Sequence, residues 1–416
     1  MSYYDSQYYD ALFKDFYYPD CSQPKWEQID YLQRLFMNTL NKERLTSVVA
    51  FPVETMCLLS NNTDIIDKEY KKLTAEMYSK GHSFFTYISD NPNGLASCCR
   101  LRNEIQENVF SFTNGLSGIK TGSCNVITLN INRIIQDWYR TIDNTYFGCS
   151  EVPINDLTEK DMSNFKEYLI SILERVYKYH IAFKTMLYDM ENKGMLTSSK
   201  AGYIDMKSLY STIGINGINE AAEFLGIKVS YNDLYKKFCN FITKTIKEQN
   251  KLHSTKDFKF NCEFVPAEDL GRKNFEWDRK DGYFIPKDGR VLYNSYFYDA
   301  HDETSVLDKF RMHGKEFTKD LDGGVGCHIN LKEHLSYEQY LKLLDFAVKN
   351  GTSYFTFNVP NTKCDDCGFI TKHNVDKCPK CNSTNLTKYT RVIGYLRATK
   401  NFSEARQIEE SQRTYL

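Results

Sequence analysis

Four cysteines near the C-terminal end constrain this chain more than any other feature. The stretch "CDDCGFITKHNVDKCPKC" sets Cys364, Cys367, Cys378 and Cys381 as two CxxC pairs with ten residues between them. Each pair turns two thiolates toward one point, and the ten-residue loop lets the two knuckles meet. Four thiolates at about 2.3 Å in a tetrahedron suit Zn2+ in a closed, structural site. His373 lies inside the loop, but four sulfurs already fill the shell and leave no position open for catalysis. Reduced cysteines, or an iron site of similar geometry, are the alternatives. Directly downstream, "TKYTRVIGYLRATK" (387–400) reads as strand, yet Gly394 stands between Ile393 and Tyr395 with arginines on both sides. The metal knuckles are placed to brace that tail.

The 416-residue chain has room for a large core, as one big domain plus a small appendage. Its formal net charge of −1 supplies none of the basic excess that a nucleic-acid binder carries, so no nucleic-acid partner is expected. The opening "MSYYDSQYYD" is aromatic and acidic, unlike a secretory signal. No apolar run approaches the roughly 20 residues that span a bilayer. These features predict a soluble, cytoplasmic protein with no membrane partner. Thirteen cysteines in such a chain point to metal or redox chemistry rather than to disulfides.

Periodicity predicts alternating strands and helices. "WEQIDYLQRLFMNTLNKE" fits an amphipathic helix, and "RLTSVVAFPVETMCLLS" a strand. A helix stopped by Gly81 follows, then the strand "HSFFTYISD", then "NVITLNINRII" as strand into helix. A long amphipathic helix runs through 156–191, and 202–226 reads as a mostly polar, helix-rich section. "SYEQYLKLLDFAVKNG" and "SYFTFNVP" continue the rhythm. The expected class is α/β with a largely parallel sheet or barrel.

Two further stretches carry chemistry. "NPNGLASCCRLRNEI" places Cys98 and Cys99 side by side at a loop tip, with Arg100 and Arg102 close by. Adjacent cysteines bond to each other only with strain, so two thiols are expected. They are either small buried hydrophobes or, in this electropositive setting, reactive. "STIGINGINEAAEFLG" reads as a glycine-rich turn, with Gly214 and Gly217 before a helix. Backbone N–H groups at a helix start can hold a phosphate, although a plain turn is the simpler reading. "GGVGCHINL" is equally open, as a close backbone approach or a loop.

Together, "FPVETMCLL", "NGLASCCRLRNEI", "VITLNINRI", "STIGINGINEAAEFLG", "GGVGCHINL", "YFTFNVPNTKCDDCGFI", "CPKC" and "RVIGYL" occur in one order across nearly the whole chain. In that order they resemble the anaerobic (class III) ribonucleoside-triphosphate reductases, which are glycyl radical enzymes. The resemblance implies a ten-stranded α/β barrel, here partial. It implies a stable backbone radical at Gly394 and a thiyl radical at Cys99, with Cys98 as the runner-up. Thr212, Gly214, Asn216, Gly217 and Asn114 would then contact a ribonucleoside triphosphate substrate. Four segments are implied: an N-terminal helical segment (1–44), the barrel with its finger loop (45–360), the zinc module (361–386), and the glycyl radical loop with its tail (387–416). A radical S-adenosylmethionine activase with a [4Fe–4S] cluster would generate the radical, and a homodimer or higher assembly is expected.

The chain departs from the family pattern in two respects. Its start corresponds to a point well inside a full-length member, without the regulatory cone or the first barrel strands. A separately encoded N-terminal-half subunit, or an inactive truncated reductase, would account for this. The second departure concerns the reductant. Ser97 stands where formate-using members carry methionine, and Ser123, beside Cys124, stands where they carry asparagine, although Asn125 fits after a small shift. This favours a thioredoxin- or glutaredoxin-type protein over formate. A zinc-ribbon module that binds nucleic acid or protein is the competing function, and it leaves "RVIGYL" and the double cysteine without a role. Another glycyl radical enzyme such as an acyl-lyase would lack the quartet.

Overall fold

The computed structural model describes residues 1–14, 16–92, 94–96, 102–104, 122–146, 151–152, 154, 157–265, 269–299, 303–391 and 396–416. Fourteen strands are formed among them: β1 (Ser2–Tyr4), β2 (Thr55–Leu59), β3 (Phe85–Ser89), β4 (Gly94–Ala96), β5 (Arg102–Glu104), β6 (Gly122–Asn130), β7 (Leu209–Asn216), β8 (Lys259–Glu263), β9 (Cys327–Asn330), β10 (Tyr354–Asn358), β11 (Asn361–Cys364), β12 (Ile370–Thr371), β13 (Leu386–Arg391) and β14 (Leu396–Ala398).

Two sheets carry the body, one ordered β1-β2-β3-β10-β9 and one ordered β6-β7-β8. A parallel bridge, Glu263↔Gly324, links the end of β8 to the residues that lead into β9. Two backbone bonds reinforce it, from the Phe264 N–H to the Gly324 carbonyl (3.2 Å) and from the Gly323 N–H to the Cys262 carbonyl (2.8 Å). Eight strands therefore succeed one another in space. The run from β6 through β10 is parallel, and β1, β2 and β3 are parallel to one another. The two sets meet antiparallel where β10 pairs with β3. Long connections between parallel strands require helical crossovers, which explains the alternation seen in the sequence.

Helices cover one face of this surface. Glu159–Asn192 packs on Asp233–His253 and on β6, while Lys68–Ser79 packs on Tyr337–Asn350. Thr158 and Ser336 start two of these helices with reciprocal capping boxes. Ile213 and Ile215 of β7 are fully buried in the same cluster as Leu169 and Leu173 of the long helix. At about 25 cal/mol per Å2, such an interface is the main source of stability.

Sequence periodicity misplaced one element. Residues 202–226 read as helix-rich and polar, yet 209–216 form β7, a central strand paired on both sides. The reason lies in its alternation: Ser211, Ile213 and Ile215 face the helices, whereas Thr212, Gly214 and Asn216 occupy the opposite face. A strand buried on both faces loses the clean polar alternation that a half-exposed strand shows. Of the expected turn, only Gly217 lies at the bend, in the left-handed region at φ 74° as the residue before the helix Ile218–Phe224. Likewise, the strand expected across 44–60 is confined to Thr55–Leu59.

A separate four-stranded sheet, β12-β11-β13-β14, carries the cysteine quartet and the tail beyond it. The helix Glu404–Gln412 and the last four residues follow. No described helix is long and apolar enough to cross a membrane.

Candidate active site

The four quartet sulfurs lie within 4.8 Å of one another. Cys364 Sγ is 3.6 Å from Cys381 Sγ, and Cys367 Sγ is 3.6 Å from Cys378 Sγ. A tetrahedron with bonds of about 2.3 Å requires sulfurs about 3.8 Å apart, so the donor set and its spacing fit Zn2+. Among the described residues no other group of three or more such ligands converges. None of the ten described cysteines is in a disulfide.

The knuckles are tied directly to β13. Cys364 pairs with Leu386 across β11 and β13, and the Asp365 N–H donates to the Asn385 carbonyl at 2.9 Å. Thr387 Oγ1 donates to Asp365 Oδ2 at 2.6 Å. On the far side, Lys372 Nζ donates to the Lys80 carbonyl, anchoring the module to the body. β13 and β14 then form a hairpin whose last pair is Arg391↔Leu396. Gly394 belongs to the four residues between them and lies outside the described residues, as do Cys98, Cys99 and Asn114.

A second hairpin marks the other half of the candidate site. β4 and β5 pair antiparallel up to Ala96↔Arg102, and the double cysteine belongs to the intervening stretch. In the chain, this hairpin follows the C-terminal end of β3. The base of the first hairpin sits at the opposite end of β3. There the Arg391 guanidinium lies 4.7 Å from the Phe85 ring centroid, and its Nη2 donates to Ser83 Oγ at 2.6 Å.

Arg391 is buried among aromatic rings, and burial pulls its guanidinium down to about 10, which leaves it charged at neutral pH. Beside it, Glu54 accepts hydrogen bonds from Tyr3 Oη and Arg44 Nη2, and its Oε1 is 3.0 Å from His82 Nε2. Burial pushes the Glu54 carboxyl up, but its bonds with His82, Arg44 and Tyr3 outweigh burial and hold it down to about 2. His82 is itself pushed below its usual value by burial, so Arg44 supplies the counter-charge at neutral pH. The void that Arg44, Glu54, Ser83, Arg391 and Leu396 share is about 10 Å3, hardly one water. The hairpin base is packed tight.

The remaining expected site residues divide between two faces. Ser123 Oγ is 2.9 Å from Thr212 Oγ1, whereas Cys124 Sγ is 3.5 Å from Ser211 Oγ on the helix-covered side. Thr212 and Asn216 are buried. The Asn216 amide is already engaged, accepting from Asn274 Nδ2 at 2.8 Å and donating to the Asn294 carbonyl at 3.2 Å. At Gly214 any Cβ would meet Thr128 Oγ1 at 2.3 Å, so the glycine permits a close approach of two strands. Sequence reading overlooked Arg391, Asn358 and Arg413, which hold the hairpin base. Arginines flanking Gly394 were the one available signal.

A family model described as anaerobic ribonucleoside-triphosphate reductase matches residues 13–415. Among solved structures, an anaerobic ribonucleotide reductase superposes with a TM-score of 0.80 at 25% identity, covering 100% of this chain and 63% of its own length. The Thermotoga maritima anaerobic ribonucleotide reductase in complex with dATP and CTP gives 0.78 at 25% identity, covering 98% of this chain and 64% of its own. A glycyl radical enzyme from Archaeoglobus fulgidus shares the fold, with a TM-score of 0.58, 11% identity, and coverage of 95% of this chain and 56% of its own. Comparison with curated proteins returns no match. The chain therefore spans under two thirds of the length of the solved reductases it matches. With its family model matched almost end to end and its quartet tied to the strand that leads into Gly394, this chain belongs to the anaerobic ribonucleoside-triphosphate reductase family.

Proposed function

We propose that this chain is the catalytic component of an anaerobic ribonucleotide reductase, converting ribonucleoside triphosphates to 2′-deoxyribonucleoside triphosphates. Gly394 holds the resting radical on its α-carbon, where no side chain blocks approach and the flanking amides delocalise the spin. It takes the hydrogen atom of the Cys99 thiol, or of Cys98, and the resulting thiyl removes the 3′ hydrogen of the ribose. The 2′ hydroxyl leaves as water on protonation, two electrons from the reductant and a second proton complete the new C2′–H bond, and the 3′ hydrogen returns from the thiol. The family match, with the cysteine quartet tied to the strand that leads into Gly394, is the observation that supports this reading most directly.

Thr212, Gly214, Asn216, Gly217 and Asn114 are assigned to the substrate wall in this reading, and Zn2+ on the quartet gives the β13–β14 hairpin a rigid mount. The radical is installed by a radical S-adenosylmethionine activase. A thioredoxin- or glutaredoxin-type protein is the reductant, with Ser123 and Cys124 on the reductant side; robust turnover on formate alone would exclude it. Among the described residues β6 ends its sheet with no strand on its outer edge, and β1 ends the other with that edge closed only at Tyr4, by the Gln33 side chain. Strands from an N-terminal half, carried on a separate polypeptide, are the proposed cover for those edges.

The deciding experiment is anaerobic electron paramagnetic resonance after incubation with an activase. A glycyl doublet in the wild type that is absent in Gly394→Ala supports the assignment. No doublet in the wild type rejects it.

A further inference from the structure

Arg391 is the last described residue before the stretch that contains Gly394, and every polar group of its peptide is held by a different part of the chain. Its N–H donates to Asn358 Oδ1 at 3.1 Å. The same Asn358 oxygen accepts from Thr390 Oγ1 at 3.0 Å, while Asn358 Nδ2 donates to Asn330 Oδ1 at 2.9 Å. The Arg391 carbonyl accepts from Arg413 Nη1 at 2.9 Å. Arg413 is then fixed by a two-pronged ion pair with Glu409, at 2.7 Å from Nε to Oε1 and 2.8 Å from Nη2 to Oε2. Both side chains are 6% exposed. Burial opposes the Arg413 charge, and the Glu409 carboxylate more than offsets it, raising the guanidinium above its usual value.

The tail is also stitched to the body beyond Arg413. The Leu416 N–H donates to the Asn330 carbonyl at 3.1 Å, and its own carbonyl accepts from the Lys332 N–H at 3.0 Å. Asn330 is thus gripped twice, by Asn358 through its side chain and by Leu416 through its backbone. The hairpin base, the end of β9 and the end of β10 are joined into one network closed by Arg413.

We propose that Arg413 is a positioning residue for the radical-bearing glycine, part of a C-terminal clasp that fixes the Arg391 carbonyl and so sets where the β13–β14 hairpin delivers Gly394. The inference rests on the function proposed above. Its physical basis is the steep dependence of hydrogen transfer on donor–acceptor placement, where an error of about 1 Å costs on the order of a hundredfold. A planar guanidinium suits the post because one fork holds Glu409 while its remaining nitrogen reaches the carbonyl. A lysine ammonium cannot do both with fixed geometry.

The test compares Glu409→Gln/Arg413→Gln, which removes both charges of the pair together, with Arg413→Lys and with Arg272→Gln. Arg272, whose ion partners Asp269 and Glu276 are both exposed on and beside the helix Leu270–Lys280, serves as the control. Each activated reductase is assayed for CTP reduction, and turnover is divided by the spins in its doublet. The expected result is a doublet of near wild-type yield in all variants. Turnover per spin falls about ten- to hundredfold in the double variant, less in Arg413→Lys and not in Arg272→Gln, with KM for CTP little changed. Unchanged turnover per spin in the double variant, or an equal fall in Arg272→Gln, overturns the clasp and leaves the proposed function standing. A wild type without a doublet overturns the function itself.

Discussion

Arg290 faces more negative charge than one guanidinium can neutralise. It contacts Glu220 at 2.7 Å, Glu223 at 3.0 Å, Asp299 at 2.8 Å and Asp288. Burial is the larger effect on the two glutamates, raising Glu220 to about 7 and Glu223 to about 8 against the pull of Arg290. A carboxyl raised above its unfolded value favours folding most while protonated. That contribution is complete below the unfolded value and is lost as pH rises through 7 to 8. The melting temperature should therefore fall between about pH 5 and 8, and Glu223→Gln should flatten that slope in thermal scans across the range. Gly214 offers a second residue-scale prediction. Gly214→Ala should destabilise the chain by about 1–3 kcal/mol in urea titration, and Thr128→Ala should restore part of the loss, since Thr128 Oγ1 is the nearest obstacle at 2.3 Å.

At the scale of elements, the quartet and the hairpin it supports form one sheet, so damage to the first should reach the second. Cys378→Ser should lower bound zinc, measured by elemental analysis, and cut CTP turnover about tenfold or more. Far-UV circular dichroism of the α/β body should change little. The quartet was legible because CxxC spacing states its geometry locally, and the helix 337–350 because capping serine and terminating glycine mark both ends. β7 was not legible as a strand. Its glycines and threonines resemble a turn until Ile213 and Ile215 are seen packed under helices from elsewhere in the sequence. Nor did any local pattern disclose Arg413. Its pairing with Glu409 looks like a helix-surface contact, and its reach to the Arg391 carbonyl depends on how a tail folds back across 22 residues.

On the scale of the whole molecule, five parallel strands and three parallel strands are welded at β3 and β10, with β1 and β6 at the two margins among the described residues. In β1 the Gln33 side chain bonds both the N–H and the carbonyl of Tyr4, whereas Val126 of β6 is 39% exposed, so the β6 margin is the more open of the two. A polypeptide corresponding to the first third of the related reductases should bind this chain in size-exclusion chromatography and raise its melting temperature by several degrees, on the order of 2–4 °C per kcal/mol gained. Failure to bind would mean that the margins are covered in some other way. The strand β3 has an additional mechanical consequence. Because Arg391 rests on its first residue and the chain proceeds from its last toward the double cysteine, strain or slippage along β3 would be felt both at the base of one hairpin and on the approach to the other.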